Sequence, residues 1–302
     1  MNRSGIWIGR GFLTLLFLFL YLPILSVVVY SFNASPLASE WAGFSTRWYA
    51  KLLQDDEILD ACRVSFSVAL ATACSSVVVG AWIGYVLASY RRFRGSTLFA
   101  AMVNAPLVLP EVISGIALLL LFVSLEQTLG WPQGRGMVTM WIGHTMLCVS
   151  YVAITVQARL SSMDRSLTEA ARDLGASPLR VFFDITLPLI APSLFAGWVL
   201  SFTISLDDVI MSAFLSGPET ATLPLVLLSR MRLGLNPEIN AVGSLIIGVI
   251  SLGVVGNSWY LMRREQAQAR LLAQAALHRK SAVSPTSPIS PISLQSRLSP
   301  TP

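Results

Sequence analysis

Three acidic residues of this sequence sit where acids are expensive. Glu111, Asp207 and Asp208 fall inside apolar runs that carry no Lys or Arg beside them. A charge at the centre of a bilayer costs at least ~2.5–3.5 kcal/mol on insertion scales, so such residues face a bundle interior or water. Pro106 and Pro110 precede Glu111, and a broken helix frees backbone carbonyls where it lines a cavity. Carboxylates and carbonyls at one depth suit an ammonium group, which has donors and no acceptors. Neighbours on a helix differ by ~100°, so one of Asp207 and Asp208 is expected to face a passage, and the sequence leaves open which. Covalent chemistry finds no support. His144 and His278 are the only histidines, no Ser/His/Asp, Cys/His or metal-ligand spacing appears, and His144 reads as a hydrogen-bonded helix contact. Cys62, Cys74 and Cys148 lie in or beside apolar runs and are expected as free thiols. Neither lysine, Lys51 or Lys280, follows a glycine, so no phosphate loop exists. The expectation is no catalytic residue, no metal and no cofactor on this chain, and any nucleotide hydrolysis would belong to another polypeptide.

The elements that must position these acids are membrane spans. Of the 302 residues, 54% are hydrophobic and 12% charged, about half the ~25% charge of an ordinary soluble domain. The pI of 9.4 does not mark a nucleic-acid binder, because the basic residues are not gathered on one face with aromatic partners. They stand at the ends of apolar runs. An all-α membrane protein with six transmembrane helices follows: 11–32, 64–90, 96–125 broken by its prolines, 136–158, 189–214 interrupted by Asp207-Asp208, and 241–262. The first is too long for a secretory h-region and is expected to stay as a helix. Residues 1–10 form a short N-terminus, 11–264 the transmembrane domain with a polar loop at 159–188, and 265–302 a largely disordered Ser/Pro-rich tail. Arg91, Arg92, Arg94, Arg159, Arg165, Arg172, Arg180, Arg263 and Arg264 gather on the side of both termini. The positive-inside rule makes that side cytoplasmic. On the other side, Trp41, Trp48 and Tyr49 are read as interfacial anchors or a docking surface. Asp55, Asp56, Glu57 and Asp60 are read as added negative charge near an entrance. Trp82, Tyr85, Trp141, Tyr151 and Trp198 are expected to pack rather than to bind a cation.

The polar loop carries the densest pattern. Leu167, Ala170, Ala171 and Leu174 recur on one face of a short helix, with Thr168, Glu169, Arg172 and Asp173 opposite. Ser166 and Glu169 predict a capping box, Gly175 a C′ stop, and Ser177-Pro178 the start of a second short helix ending at Leu187-Pro188.

Glu169-Ala170-Ala171, three further residues to Gly175, nine to Ile185 and then Leu187-Pro188 match the signature of permease subunits of bacterial ABC importers, and the chain resembles that family from about residue 11 to 264. The resemblance implies the type I importer permease fold with a cytoplasmic coupling helix, the element that rests in a cleft of the ATPase. On that likeness Leu167, Glu169, Ala170, Ala171, Leu174, Gly175, Ile185 and Pro188 are the ATPase-coupling residues. The implied partners are a sister permease, a dimer of ATP-binding subunits, a periplasmic binding protein and membrane lipid, with no nucleic acid. The runs 197–208, Ser216-Gly217-Pro218, 236–241 and 41–49 look like the polyamine branch, most like the second permease subunit of a putrescine importer. Glu111 departs from that branch, where an Asp is often found after the proline. Two alternatives stay open at this level: a permease for another small solute, and a membrane scaffold or sensor that moves none.

Overall fold

The computed structural model describes residues 3–36, 40–90, 93–164, 166–234 and 237–282, with side chains left undescribed at 3–8 and at scattered positions from 254 onward. Arg91, Arg92, Arg165, Asn236, the Arg264 side chain and the tail from 283 lie outside the described residues. The described chain is helical, with an isolated antiparallel bridge between Asn33 and Phe44 as its one β-type pairing.

The helices are α1 (Arg3–Tyr30), α2 (Arg47–Leu52), α3 (Asp56–Ser89), α4 (Ser96–Val108), α5 (Glu111–Leu129) and α6 (Met137–Ser161). They continue with α7 (Ser166–Asp173), α8 (Pro178–Val181), a π-helical turn (Phe182–Thr186), α9 (Leu187–Asp207), α10 (Ile210–Leu215), α11 (Leu223–Leu233) and α12 (Pro237–Ala282). Among the described residues, five segments are long and apolar enough to cross a membrane: Gly9–Tyr30, Asp56–Ser89, Glu111–Leu129, Met137–Ser161 and Pro178–Asp207. The shorter apolar helices Ser96–Val108 and Pro237–Gly253 complete the expected set of spans.

Two spans are built from two helices each. Between α4 and α5 the break falls at Leu109-Pro110. Pro110 has no N–H to give and forces extended backbone on Leu109 (ψ 137°). Pro106, expected to share in the break, is carried inside α4. The α9–α10 break falls at Asp208, which is extended at ψ 128°. At the other extreme, α12 runs past Arg264 to Ala282, through a stretch rich in Ala, Leu, Gln and Arg that holds a helix. The part from Ser244 onward forms a unit of its own, in which Arg263 lies 3.7 Å over the Trp259 ring.

In the larger unit α3 is the central post. Its small residues Ala69, Ala73, Gly80, Gly84 and Ala88 are buried, and α6 and α9 pack on it. Such residues let helix backbones approach closely in a membrane, where no hydrophobic force drives association. A Cβ on Gly84 would lie 2.7 Å from the Ala153 carbonyl oxygen and 2.9 Å from Val156 Cβ. Gly84→Leu is therefore expected to cost about 1–3 kcal/mol through overpacking, read as a lower melting temperature of the detergent-purified protein. Val152, Val156 and Ile190 make one buried cluster at this level; Val68, Leu118, Phe122, Met140, Met211 and Leu215 make another toward the start of α6. By contrast, no residue of the apolar window of α1 is buried.

Candidate functional site: a broken-helix acid level and a helical lever

The acid level is built by the two helix breaks. Glu111 is the first residue of α5, half-buried, directly after Pro110. Asp207 is the last residue of α9 and is exposed, whereas the Asp208 side chain is 7% exposed. The break thus separates the two aspartates that the sequence left equivalent. Asp208 Oδ1 accepts the Ser212 N–H at 2.9 Å, capping α10, and lies 3.3 Å from His144 Nε2. His144 Nδ1 and Ser205 Oγ are 2.7 Å apart, and Ser212 Oγ is 3.4 Å from Nε2. One buried imidazole of α6 therefore touches α9, the break and α10. Asp208, Asp207 and His144 all lie within electrostatic reach of Glu111. His144 lies about 25 Å, at 1.5 Å per residue, from the Ser161 end of α6. The acids thus sit toward the end of the molecule opposite α7.

The lever is built locally. Gly175, at φ +83°, donates to the Arg172 carbonyl (2.9 Å), and Ala176 donates to Ala171 (3.1 Å). This is the Schellman stop of α7, and a left-handed residue is needed to make it. Ser177 Oγ accepts the Arg180 N–H and Pro178 opens α8, as its sequence predicts. Two local expectations fail. α7 begins at Ser166 itself, whose N–H is taken by Asp164 Oδ1 at 3.0 Å, so Ser166 stands inside the helix rather than capping it. That backbone hydrogen bond also holds the exposed Asp164 carboxyl below its usual range. Nor does Leu187-Pro188 end the second helix: α8, the π-helical turn and α9 run on without a stop. A proline ring presses on the carbonyl four residues back, here that of Asp184, and the wider π turn at Phe182–Thr186 makes room for it.

None of the motif residues is buried. α7 has no buried residue; Leu167 is 50% and Leu174 89% exposed, with Glu169 and Ala170 also exposed. Ala171, Leu174, Gly175 and Ile185, scattered through the signature, line one hollow of 280 Å³. Pro188 lies in the first turn of α9, exposed. On the other side of α7, Thr168, Glu169 and Arg172 face Tyr85, Tyr90 and Leu160 across a 290 Å³ cavity.

At the far end of α3 the structure brings together charges that the sequence keeps apart. Asp55 is the N-cap of α3, accepting from Ile58 N–H, and its carboxylate takes Arg230 at 2.6 and 3.0 Å. Arg230 also meets Glu57 and, at 3.6 Å, Glu238, which pairs with Lys51 as well. Asp60 pairs with Arg63. The acidic cluster expected to add negative charge at an entrance is thus largely matched by cations. The Arg230 guanidinium holds the Asp55 carboxyl below its usual range, and the two carboxylates push Arg230 upward. A lowered native pKa means that the stabilisation is complete above the ordinary carboxylate value of about 4 and fades as the pH falls through the native one. Arg230→Gln should lower the melting temperature at pH 7, and the gap to the parent protein should close on acidification below that range. The aromatics at this end divide: Trp48 is buried and donates to the Asn33 carbonyl at 2.7 Å under the Arg47 guanidinium, while Trp41 stays 52% exposed.

A family described as binding-protein-dependent transport system inner membrane component matches residues 76–263. The chain belongs to that family. Its members are membrane components of transport systems, not enzymes, and the matched region holds both the lever and the acid level. The putrescine transport system permease protein PotI of Escherichia coli K12 is 51% identical over 253 residues, covering 83% of this chain and 89% of that protein. The spermidine/putrescine transport system permease protein PotC of the same strain is 37% identical over 260 residues, covering 85% and 96%. Among solved structures, a bacterial ABC transporter involved in the import of the acidic polysaccharide alginate shares the fold at TM-score 0.65 and 18% identity, covering 86% of this chain and 99% of its own. The chain therefore has the importer permease fold of an inner-membrane, multi-pass protein. A fold that also serves an acidic polysaccharide does not choose the charge of its cargo.

Proposed function

We propose that this chain is the permease subunit of an ATP-driven polyamine importer, with putrescine as its cargo. The observation that carries the reading is that Asp207 and Asp208, at the α9–α10 break, lie within electrostatic reach of Glu111 at the α4–α5 break, while α5, α9 and α10 contribute no Lys or Arg. Exposed Asp207 and half-buried Glu111 offer carboxylates to the ammonium groups of the diamine, while Asp208 holds the break in shape. The similarity to two polyamine permeases supports the same cargo.

In this reading the α7 end is cytoplasmic, together with both termini and the arginine-rich loops. Leu167, Glu169, Ala170, Ala171, Leu174, Gly175, Ile185 and Pro188 form the surface that seats in a separate ATPase dimer, which holds the ATP and Mg²⁺. A sister permease completes the passage and a periplasmic binding protein delivers the cargo. Closure of the ATPases pushes on α7, the spans rock, and the polyamine passes the acid level with no chemistry done on it. The test is radiolabelled putrescine uptake in a strain lacking this chain. Restoration by the intact chain supports the proposal; unchanged uptake in the deletion strain, with no other polyamine importer present, contradicts it.

A further inference from the structure

We infer that Phe182 is a positioning residue of the transport cycle, the joint through which movement of α7 reaches α3. The inference rests on the coupling role proposed for α7 and adds a residue outside its signature. α7 has no buried residue, and behind it lies the 290 Å³ cavity lined by Thr168, Glu169 and Arg172 on one wall and by Tyr85, Tyr90 and Leu160 on the other. A push on α7 is thus not delivered squarely onto the spans. It passes into α8 and the π-helical turn, on which α7 packs. There Phe182 opens the π turn and reaches α3: its ring stacks on Trp82 (centroids 6.0 Å, 13° between planes) and meets Tyr85 edge-on (5.3 Å, 83°). Phe183 packs edge-on against Phe182 at 5.3 Å, but its own ring is 58% exposed.

The neighbouring contacts are aliphatic and shared between α6 and Val77 of α3. Leu187 and Ile190 pack with Val152 and Val156 of α6, and Arg159 Nε donates to the Leu189 carbonyl at 3.3 Å. The start of α9 is therefore held to α6 and α3 by aliphatic packing, and Phe182 supplies the aromatic tie from the π turn to α3. A π turn interrupts the regular helix ladder and recurs at functional sites in helices. Here it sets the register that aims Phe182 at Trp82 and Tyr85 while Val181 and Thr186 stay buried beside it. Aromatic pairs also hold a relative orientation that an aliphatic contact of equal size does not.

The test uses the complete complex, reconstituted with its ATPase subunits, sister permease and binding protein, and reads putrescine moved per ATP hydrolysed. Phe182→Leu keeps apolar bulk and is expected to lower that ratio at least five-fold while the complex still copurifies at parental yield. Phe182→Tyr restores the ring and should return the ratio to within two-fold of the parent. A Trp82→Leu change made on top of Phe182→Leu should add little. An unchanged ratio for Phe182→Leu overturns the inference. So does loss of copurification in Phe182→Leu, which would make the residue a packing residue only. If Gly175→Pro also leaves uptake intact, the coupling role of α7 itself falls; if Gly175→Pro abolishes uptake and Phe182→Leu does not alter the ratio, only the joint is refuted.

Discussion

A chain carrying Gly175→Pro is expected to reach the membrane at the parental level and to take up no putrescine above background. Gly175 stands at φ +83°, a conformation that costs an L-residue about 1–2 kcal/mol and that a proline ring, fixed near φ −65°, cannot adopt. Proline also removes the N–H that Gly175 gives to Arg172. The damage stays local because α7 buries nothing, so the packing of α3, α6 and α9 is untouched. What is lost is the angle between α7 and α8, and with it the hollow shared by Ala171, Leu174, Gly175 and Ile185. Gly175→Ala keeps the N–H and should retain part of the activity. Uptake of labelled putrescine, normalised to chain in the membrane fraction, separates the three proteins.

Changing Glu111→Gln and Asp207→Asn together is expected to lower putrescine uptake at saturating binding protein by at least ten-fold. Hydrogen bonds to charged groups contribute about 1.5–3 kcal/mol against about 1 for neutral ones, and each 1.4 kcal/mol is a factor of ten. Two carboxylates made neutral can therefore account for that loss without any change of fold. Asp208 predicts a different signature. Its carboxylate is buried against His144 and caps Ser212, so Asp208→Ala should lower the melting temperature as well as uptake. Asp208→Asn keeps an acceptor for the Ser212 N–H and should fall between. If the double change left uptake intact, the cation site would lie elsewhere on the passage.

The parts legible in the sequence are those set by a few neighbouring residues or by long apolar runs. Gly175 and Ser177-Pro178 specify their turn and cap by backbone chemistry within five residues, and both stand as read. The spans follow from length and hydropathy, and Pro110 from its missing N–H. Contacts between distant segments were not legible. Arg230 meets Asp55 across 175 positions, and no local pattern announces that pairing, so the acids of the loop read as unmatched. His144 meets Ser205 across 61 positions and Asp208 through the α9–α10 break, so nothing in the run around 207–208 told which aspartate turns inward. Leu187-Pro188 misled for a subtler reason. A proline does end most helices, but a π turn placed just before it absorbs the ring, and that register shift leaves no mark in hydrophobic periodicity.

The most direct measurement places a photo-crosslinking amino acid at Leu174, 89% exposed directly after α7, in the assembled complex in native membranes. The account predicts an adduct with the nucleotide-hydrolysing subunit whose yield changes when ATP is trapped. An adduct with a periplasmic protein, or none with the ATPase under any nucleotide condition, would contradict it.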